Sequence, residues 1–378
     1  MNTLRLGVLG VGDIARNLYI PKIRAAEARG AIELAAVSSR SADAQDWMRK
    51  HFPDVPVHAD YQTMLDDSSI DMVVNLTPTQ AHAATTLRAI RAGKHVYSEK
   101  PIASTLEEAD EIITAAAQAG VTVASAPVIG LHPELRRAIK WTREGVLGKV
   151  AMARARASHP GPAWDPEFAT DPAWFYQPGA GPVLDLAVYP LHVLCLMLGP
   201  VRRVTAFAGT SFPQREVRSG VAEGQVVDVT TPDNVQMVLD FGNSCFASLD
   251  ATWNAISAKG PSMEIYGDAG VLNLYSRPEE PPMELYRSDP ATGVRGWMRY
   301  EHLYRGSLMP ASPEAPVDWS FVDGLEHVAD RIATGAPSLV SAELGRHILE
   351  ICLAALSSAE LGRAVEVSST FPRSEMPS

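Results

Sequence analysis

Over residues 1–125, short apolar runs alternate with stretches whose apolar positions recur every three or four residues. The runs lie at 4–9, 32–37, 70–76, 95–98 and 121–124, with a weaker one at 55–58. They lack the apolar–polar alternation of a strand that faces water, so each is predicted to be a strand covered on both faces. The helix predicted at 105–119 has Thr105 and Glu108 placed for a capping box, Ile112, Ile113 and Ala116 on one side, and Gly120 as its stop. Strand and helix in regular alternation predict a doubly wound parallel sheet.

After residue 125 the pattern changes. A helix at 133–144 and a strand at 149–158 are predicted, then a loop at 160–181 rich in Pro, Gly and Trp, and an apolar helix at 182–198. Strand-like runs follow without helices between them, at 204–209, 226–230, 235–241, 245–252, 263–266 and 271–275. Strands in succession predict a large, mostly antiparallel sheet. The segment 276–316, rich in Pro, Glu and Tyr, reads as surface excursions, and helices at 321–334 and 342–358 close the chain. The fold class is therefore an α/β domain of the doubly wound (Rossmann) kind, residues 1–125, followed by an α+β domain with a large, mostly antiparallel sheet, residues 126–378.

Composition narrows the function. The 378 residues are 46% hydrophobic and 20% charged, as in an ordinary globular protein. A net charge of −11 argues against a nucleic-acid partner. No apolar stretch reaches the length of a membrane span and no signal-peptide pattern opens the chain, which makes the cytoplasm the expected location. Cys195, Cys245 and Cys352 lie far apart in apolar runs and read as buried free thiols; no metal site is expected.

The chemistry begins at residues 6–15, where a strand runs into G-x-G-x-x-A at the mouth of a helix. Gly10 permits the tight turn, Gly12 lets the backbone approach a pyrophosphate, and Ala15 allows close helix–strand packing. Amides at the helix start then face the phosphates. Gly10, Gly12, Asp13 and Ile14 are the expected contacts. An acidic residue after the second strand would favour NAD, but Ser39 and Arg40 stand there. Hydroxyl and guanidinium suit a 2′-phosphate, so NADP is preferred to NAD, with a solvated loop arginine as the alternative.

Two further motifs complete a pattern. One is Asn75-Leu76-Thr77-Pro78-Thr79-Gln80-Ala81-His82 at a strand end, and the other is Glu99-Lys100-Pro101 after the run at 95–98. With the glycine turn, they make the chain resemble the glucose–fructose oxidoreductase/inositol dehydrogenase (Gfo/Idh/MocA) family over nearly its whole length. The resemblance implies hydride transfer between a nicotinamide and a hydroxyl or carbonyl carbon of a sugar, polyol or related cyclic alcohol. It places Lys100 beside the reacting carbon, against the plainer reading of an exposed strand-end lysine. Thr77 and Pro78 would lie beneath the cofactor, Glu99 at its ribose–nicotinamide end, and His82 after that loop as a further cofactor-binding residue, with capping or packing as its plainer reading.

Asp185, Tyr189 and His192 are spaced to share one face of the helix at 182–198. Polar groups on so apolar a helix are costly unless they line a cleft. The commonest family pattern has His where Tyr189 stands and Asp where His192 stands, so the chain resembles the branch with a tyrosine proton donor. A free Tyr titrates near pH 10, and a neighbouring ammonium such as Lys100 favours its phenolate. Tyr189 is therefore expected as acid/base, Lys100 as its electrostatic partner and Asp185 as a substrate-hydroxyl ligand. Packing under the cofactor is the alternative for Tyr189. His192 has three readings: substrate contact, a packed histidine, or the proton-transfer group itself. Trp164, Trp174, Phe175 and Tyr176 either stack on a ring or fold back on one another. Arg154 and Arg156 on one face of the strand at 149–158 read as a solvated or subunit-facing sheet surface, with binding of an acidic substrate as the alternative, and a sheet with one face free suggests a homo-oligomer, dimer or tetramer. A retained-cofactor enzyme and a non-catalytic sensor are the other function classes.

Overall fold

The continuous apolar runs of the N-terminal third become strands with almost no exposed residue. The computed structural model describes residues 3–276, 280–289, 291, 293–300 and 320–372. It divides into two units, one of Met1–Leu131, Trp319–Arg346 and Phe371–Ser378, the other of His132–Asp318 and His347–Thr370.

The first unit is built on a parallel sheet of β1 (Leu4–Leu9), β2 (Ile32–Ser38), β3 (Val57–His58), β4 (Met72–Asn75), β5 (His95–Ser98) and β6 (Val123–Ser125), in the order β3-β2-β1-β4-β5-β6. The order reverses direction at β1, and the crevice beside that switch point is where ligands bind in open α/β sheets. Crossover helices α1 (Ile20–Ala26), α2 (Ala42–His51), α3 (Tyr61–Leu65), α4 (Thr79–Arg91) and α5 (Leu106–Ala119) join the strands. The helix predicted after Thr105 begins in a complete capping box and ends at Gly120 in the left-handed region, φ +67°. The first crossover does not begin as a regular helix. A π turn at Ala15–Tyr19 precedes α1, so one extra residue is wound into its opening.

The second unit carries α6 (Pro133–Arg143), then β7 (Val150–Ser158), a π turn at Val183–Ala187, and α7 (Val188–Leu198). Strands β8 (Arg203–Gly209), β9 (Gln214–Glu216), β10 (Val226–Asp228), β11 (Asn234–Asp240), β12 (Phe246–Thr252), β13 (Met263–Gly267) and β14 (Gly270–Leu274) follow. Two more, β15 (Met283–Asp289) and β16 (Val294–Tyr300), lie where surface excursions were expected. That expectation is corrected: Met283 and Leu285 of β15 are buried, whereas Trp297, Met298 and Arg299 of the edge strand β16 are exposed. The rest of that segment, 301–316, lies outside the described residues. Helices α8 (Val322–Thr334) and α9 (Ala342–Leu361) and a short β17 (Val365–Glu366) end the order. The closing helix, expected to stop at 358, runs on to Leu361.

Nine strands form one sheet, β16-β15-β14-β13-β7-β12-β11-β8-β17, while β9 and β10 pair apart from it. All its described pairings are antiparallel except that of β7 with β12. Along β7, Ala153, Ala155 and Ala157 are buried and Arg154 and Arg156 exposed, as the alternation predicts. On the outer face one lateral row, Phe246, Met152, Tyr266, Val271, Tyr286 and Trp297, forms an apolar band across six adjacent strands. On the inner face the second π turn and α7 pack across β7 and β12.

The end of the sheet is fastened by side chains of α9. Val201 N–H donates to His347 Nε2 at 3.0 Å, and His347 Nδ1 lies 2.8 Å from the Ser369 hydroxyl. Glu350 accepts from the Ser368 amide and hydroxyl and from the Ser369 amide. Burial pushes the Glu350 carboxyl up, but these serine hydrogen bonds outweigh it and hold it down at about 2. All three cysteines are buried and unpaired. Burial pushes the Cys352 thiol up to about 12, and raises Cys195 too, with Cys352 as a second cause. Among the described residues no helix is long and apolar enough to cross a membrane.

Candidate functional site

In the first unit the carboxyl ends of the strands are stitched together by single backbone hydrogen bonds. Ser39 N–H donates to His58 O at 3.1 Å, Gly10 N–H to Ser38 O at 2.9 Å, and Leu76 N–H to Leu9 O at 2.8 Å. Glu99 N–H donates to Asn75 O at 3.0 Å, and Ala126 N–H to Ser98 O at 2.9 Å. This ladder gathers Gly10, Ser39, Thr77, Glu99 and Lys100 along one edge.

The two glycines of the turn differ in what they answer to. Gly10 has φ +92°, and a Cβ there would lie 2.8 Å from Leu76 O, so the fold itself excludes a side chain. A Cβ on Gly12 would meet nothing within 4 Å. Gly12 and Asp13 are exposed and Ile14 half-buried, at the mouth of the first crossover helix. Packing within the chain therefore gives no reason for glycine at 12, whereas a pyrophosphate laid against the turn does. These residues fit a dinucleotide, with Gly10, Gly12, Asp13 and Ile14 able to hold its phosphates.

After β2, Ser39 is half-buried and Arg40 exposed, while Ser41 caps α2 by accepting from Ala44 N–H at 3.3 Å. No carboxylate stands at the Ser39 and Arg40 positions. After β4, Asn75 is buried and organises the turn: its Oδ1 accepts from the Thr77 hydroxyl at 2.7 Å, and its Nδ2 donates to Thr85 Oγ1 at 2.8 Å. Pro78 is exposed at the start of α4. His82, only 1% exposed, spans two loops, with Nε2 2.7 Å from Thr77 O and Nδ1 2.7 Å from Pro101 O. It packs rather than projecting outward. Lys100 is half-buried at the end of β5.

In the second unit Asp185 sits in the π turn and Tyr189 and His192 on α7. Most side chains from 183 to 197 are buried, and the half-buried ones are Asp185, Leu186, Tyr189 and Pro190. His192, at 1% exposure, is buried, so along this short stripe Asp185 and Tyr189 are half-buried and only His192 is fully covered.

Two models of known families match the chain. An oxidoreductase model with an NAD-binding Rossmann fold covers residues 4–126, and a GFO/IDH/MocA C-terminal domain model covers 135–273. The chain belongs to the GFO/IDH/MocA oxidoreductase family. It is 31% identical to a dTDP-3,4-didehydro-2,6-dideoxy-α-D-glucose 3-reductase of Actinomadura kijaniata, over 64% of this chain and 69% of the relative. It is 23% identical to an NADP+-linked scyllo-inositol 2-dehydrogenase of Bacillus subtilis, over 97% of this chain and 96% of that one. A levoglucosan dehydrogenase solved with NADH and L-sorbose shares its fold at TM-score 0.81 and 23% identity, covering 97% of this chain and 99% of that one.

In this GFO/IDH/MocA chain the aromatic loop before the second π turn folds mainly on itself. Tyr176 and Trp253 pack edge to face at 5.0 Å, within a cluster that also holds Ala163, Val217, Val227 and Val229. Arg215 lies beneath it, fully buried, paired with Asp233 at 2.8 Å and stacked on Trp164 at 4.1 Å. Leu186 packs against the same cluster, so the lobe braces the turn that holds Asp185. Trp174, 49% exposed, is stacked 4.0 Å from Phe175 and is the loop aromatic that faces outward most. Sequence reasoning missed Arg215, Asp233 and the buried Tyr19 and Tyr97. An isolated Arg and Asp eighteen positions apart read as solvated charges, and a lone Tyr in a helix as core.

Proposed function

We propose that this protein is an NADP-linked dehydrogenase or reductase acting on a hydroxyl or carbonyl carbon of a sugar, polyol or related cyclic alcohol. The observation that carries the reading is the open Gly12 turn at the sheet's switch point, with Lys100 on the same edge. When bound, the nicotinamide supplies or takes the hydride. Tyr189 exchanges the proton of the reacting hydroxyl, Lys100 stabilises the negative charge that develops on that oxygen, and Asp185 orients a substrate hydroxyl. The half-buried stripe of Asp185 and Tyr189 supports this assignment, and the burial of His192 weighs against it as the proton carrier. Ser39 and Arg40 support NADP, because a guanidinium holds a 2′-phosphate bidentately, and a full-length relative is NADP+-linked.

The test is turnover of NADP+ and NAD+ with levoglucosan, scyllo-inositol and L-sorbose, in wild type and in Tyr189→Phe, Lys100→Ala and Arg40→Ala. Removing an acid/base group is expected to cost about 10²–10⁴-fold in kcat. Arg40→Ala is expected to weaken NADP+ binding and leave NAD+ binding unchanged. Full activity in Tyr189→Phe would sink the proton role, and equal loss for both cofactors in Arg40→Ala would sink the NADP preference. We read the apolar band on the outer sheet face as the contact of a homodimer or homotetramer. Sedimentation of the protein as a monomer at micromolar concentration would overturn that.

A further inference from the structure

We infer that Tyr19 and Glu99 form a positioning pair that fixes the backbone of Lys100 from the helix that opens at the dinucleotide turn. The inference rests on the reading of Lys100 given above. Glu99, 7% exposed, has both carboxylate oxygens engaged: Oε1 accepts from the Tyr19 hydroxyl at 2.5 Å and Oε2 from the Lys100 amide at 3.0 Å. The carboxylate therefore faces inward, towards Tyr19 and the Lys100 amide.

Burying a carboxylate is costly unless its hydrogen bonds are complete. The side chain that completes these is Tyr19, 0% exposed, whose hydroxyl also lies 3.1 Å from that of Tyr97. Burial, followed by the charge of Glu99, raises the Tyr19 phenol well above its usual range, so it stays a neutral donor at every working pH. Its ring is wedged between Tyr97 and Phe321, with centroids at 6.2 Å and 6.3 Å, which leaves the hydroxyl little choice of direction. Tyr19 is also the last residue of the π turn Ala15–Tyr19, in the helical stretch that starts directly after Gly12, and Arg16 N–H donates back to Gly12 O at 2.9 Å. One short element thus carries the phosphate turn at one end and the donor to Glu99 at the other. On the far side of Lys100, His82 holds the Pro101 carbonyl. Lys100 is bracketed by two buried side chains, of which only the Glu99 side leads back to the dinucleotide turn.

The experiment compares Tyr19→Phe with Tyr97→Phe, which removes the other hydroxyl of the same buried group. Three quantities are read: the thermal midpoint, kcat and KM for NADP+ with the three sugars above, and the rate at which trinitrobenzenesulfonate labels Lys100, followed by peptide mass spectrometry. Tyr19→Phe is expected to lower kcat about tenfold with KM for NADP+ nearly unchanged, and to raise Lys100 labelling several-fold, the effect of one lost charge-assisted hydrogen bond on a placed group. Tyr97→Phe is expected to change neither. Labelling of Lys100 at the wild-type rate in Tyr19→Phe overturns the inference. So does a fall in kcat that tracks the loss of thermal midpoint equally in both variants, since that is what packing alone produces. If wild type turns over none of the three sugars, the functional reading has failed at its substrate, and the labelling rates still decide the pair.

Discussion

The dinucleotide edge of the first unit and the aromatic lobe of the second hold their shapes by opposite means. At the edge, backbone amides meet backbone carbonyls from strand end to strand end, and the side chains of Asn75, His82 and Glu99 add neutral or carboxylate hydrogen bonds to that ladder. In the lobe, backbone direction is set by what surrounds one cation. Arg215 donates to Pro160 O at 3.1 Å and Trp253 O at 3.0 Å, pairs with Asp233, and lies under the Trp164 ring. A ladder distributes its dependence over many weak links, whereas a lobe built on a buried charge concentrates it.

That contrast breaks most visibly at Arg215. Arg215→Met leaves Asp233 buried and unpaired and is expected to destabilise the protein by about 3–5 kcal/mol, read as a lower midpoint in urea. Replacing both partners, Arg215→Met with Asp233→Leu, should recover much of that loss. NADP+ affinity in the refolded single variant should match wild type. A loss below about 1 kcal/mol, the scale of an exposed pair, would mean that the aromatics hold the lobe without the cation.

The ladder is sharpened by its own two glycines. Gly10→Ala forces a Cβ onto Leu76 O at positive φ and should cost about 1–3 kcal/mol of stability, the scale of a strained backbone site. Gly12→Ala should leave the thermal midpoint in place and weaken dinucleotide binding about tenfold or more, equivalent to at least about 1.4 kcal/mol. Calorimetric unfolding and titration of the same samples separate the two. Equal thermal losses in both variants would show that Gly12 serves the fold rather than a ligand.

The smallest effect belongs to Glu350. Its folded pKa, about 2, lies below the ordinary 4.5, so it contributes stability that is present above pH 4.5 and is lost as pH falls towards 2. The gap in thermal midpoint between wild type and Glu350→Gln should therefore be widest at neutral pH and close across that window. A gap that stays constant down to pH 3 would remove the carboxylate from the account.

The same contrast governs what the sequence revealed. Strand β5 appears at its predicted limits, 95–98, because a buried parallel strand must be apolar throughout. The Thr105 box and the Gly10–Gly12 turn were readable because backbone geometry restricts which residues serve there. The two π turns left no mark, since one extra residue in a helix changes neither composition nor polarity. Strands β15 and β16 were hidden by Tyr, Arg and Glu on their wet faces, and β9 by its length of three residues. Arg215 with Asp233, and Tyr19 with Glu99, were hidden because each pairing is made by folding and by nothing local to either residue. Likewise, the apolar stripe of α8 announces a helix without saying what it covers, and in the structure that is α1 and β2.

The buried thiols give the second unit a built-in clock. Cys195 lies on α7 itself, three residues beyond His192, and Cys352 lies on α9 with its Sγ 3.5 Å from Val183 O in the second π turn. Both thiols are fully buried, so the rate at which a thiol reagent reacts with Cys195 counts openings of α7, which carries Tyr189, and its rate with Cys352 counts openings of α9 from the π turn that carries Asp185. Burial also holds the Cys195 and Cys352 thiols in the protonated, unreactive form, so oxidation of these two is confined to the fraction of time that α7 or α9 is lifted.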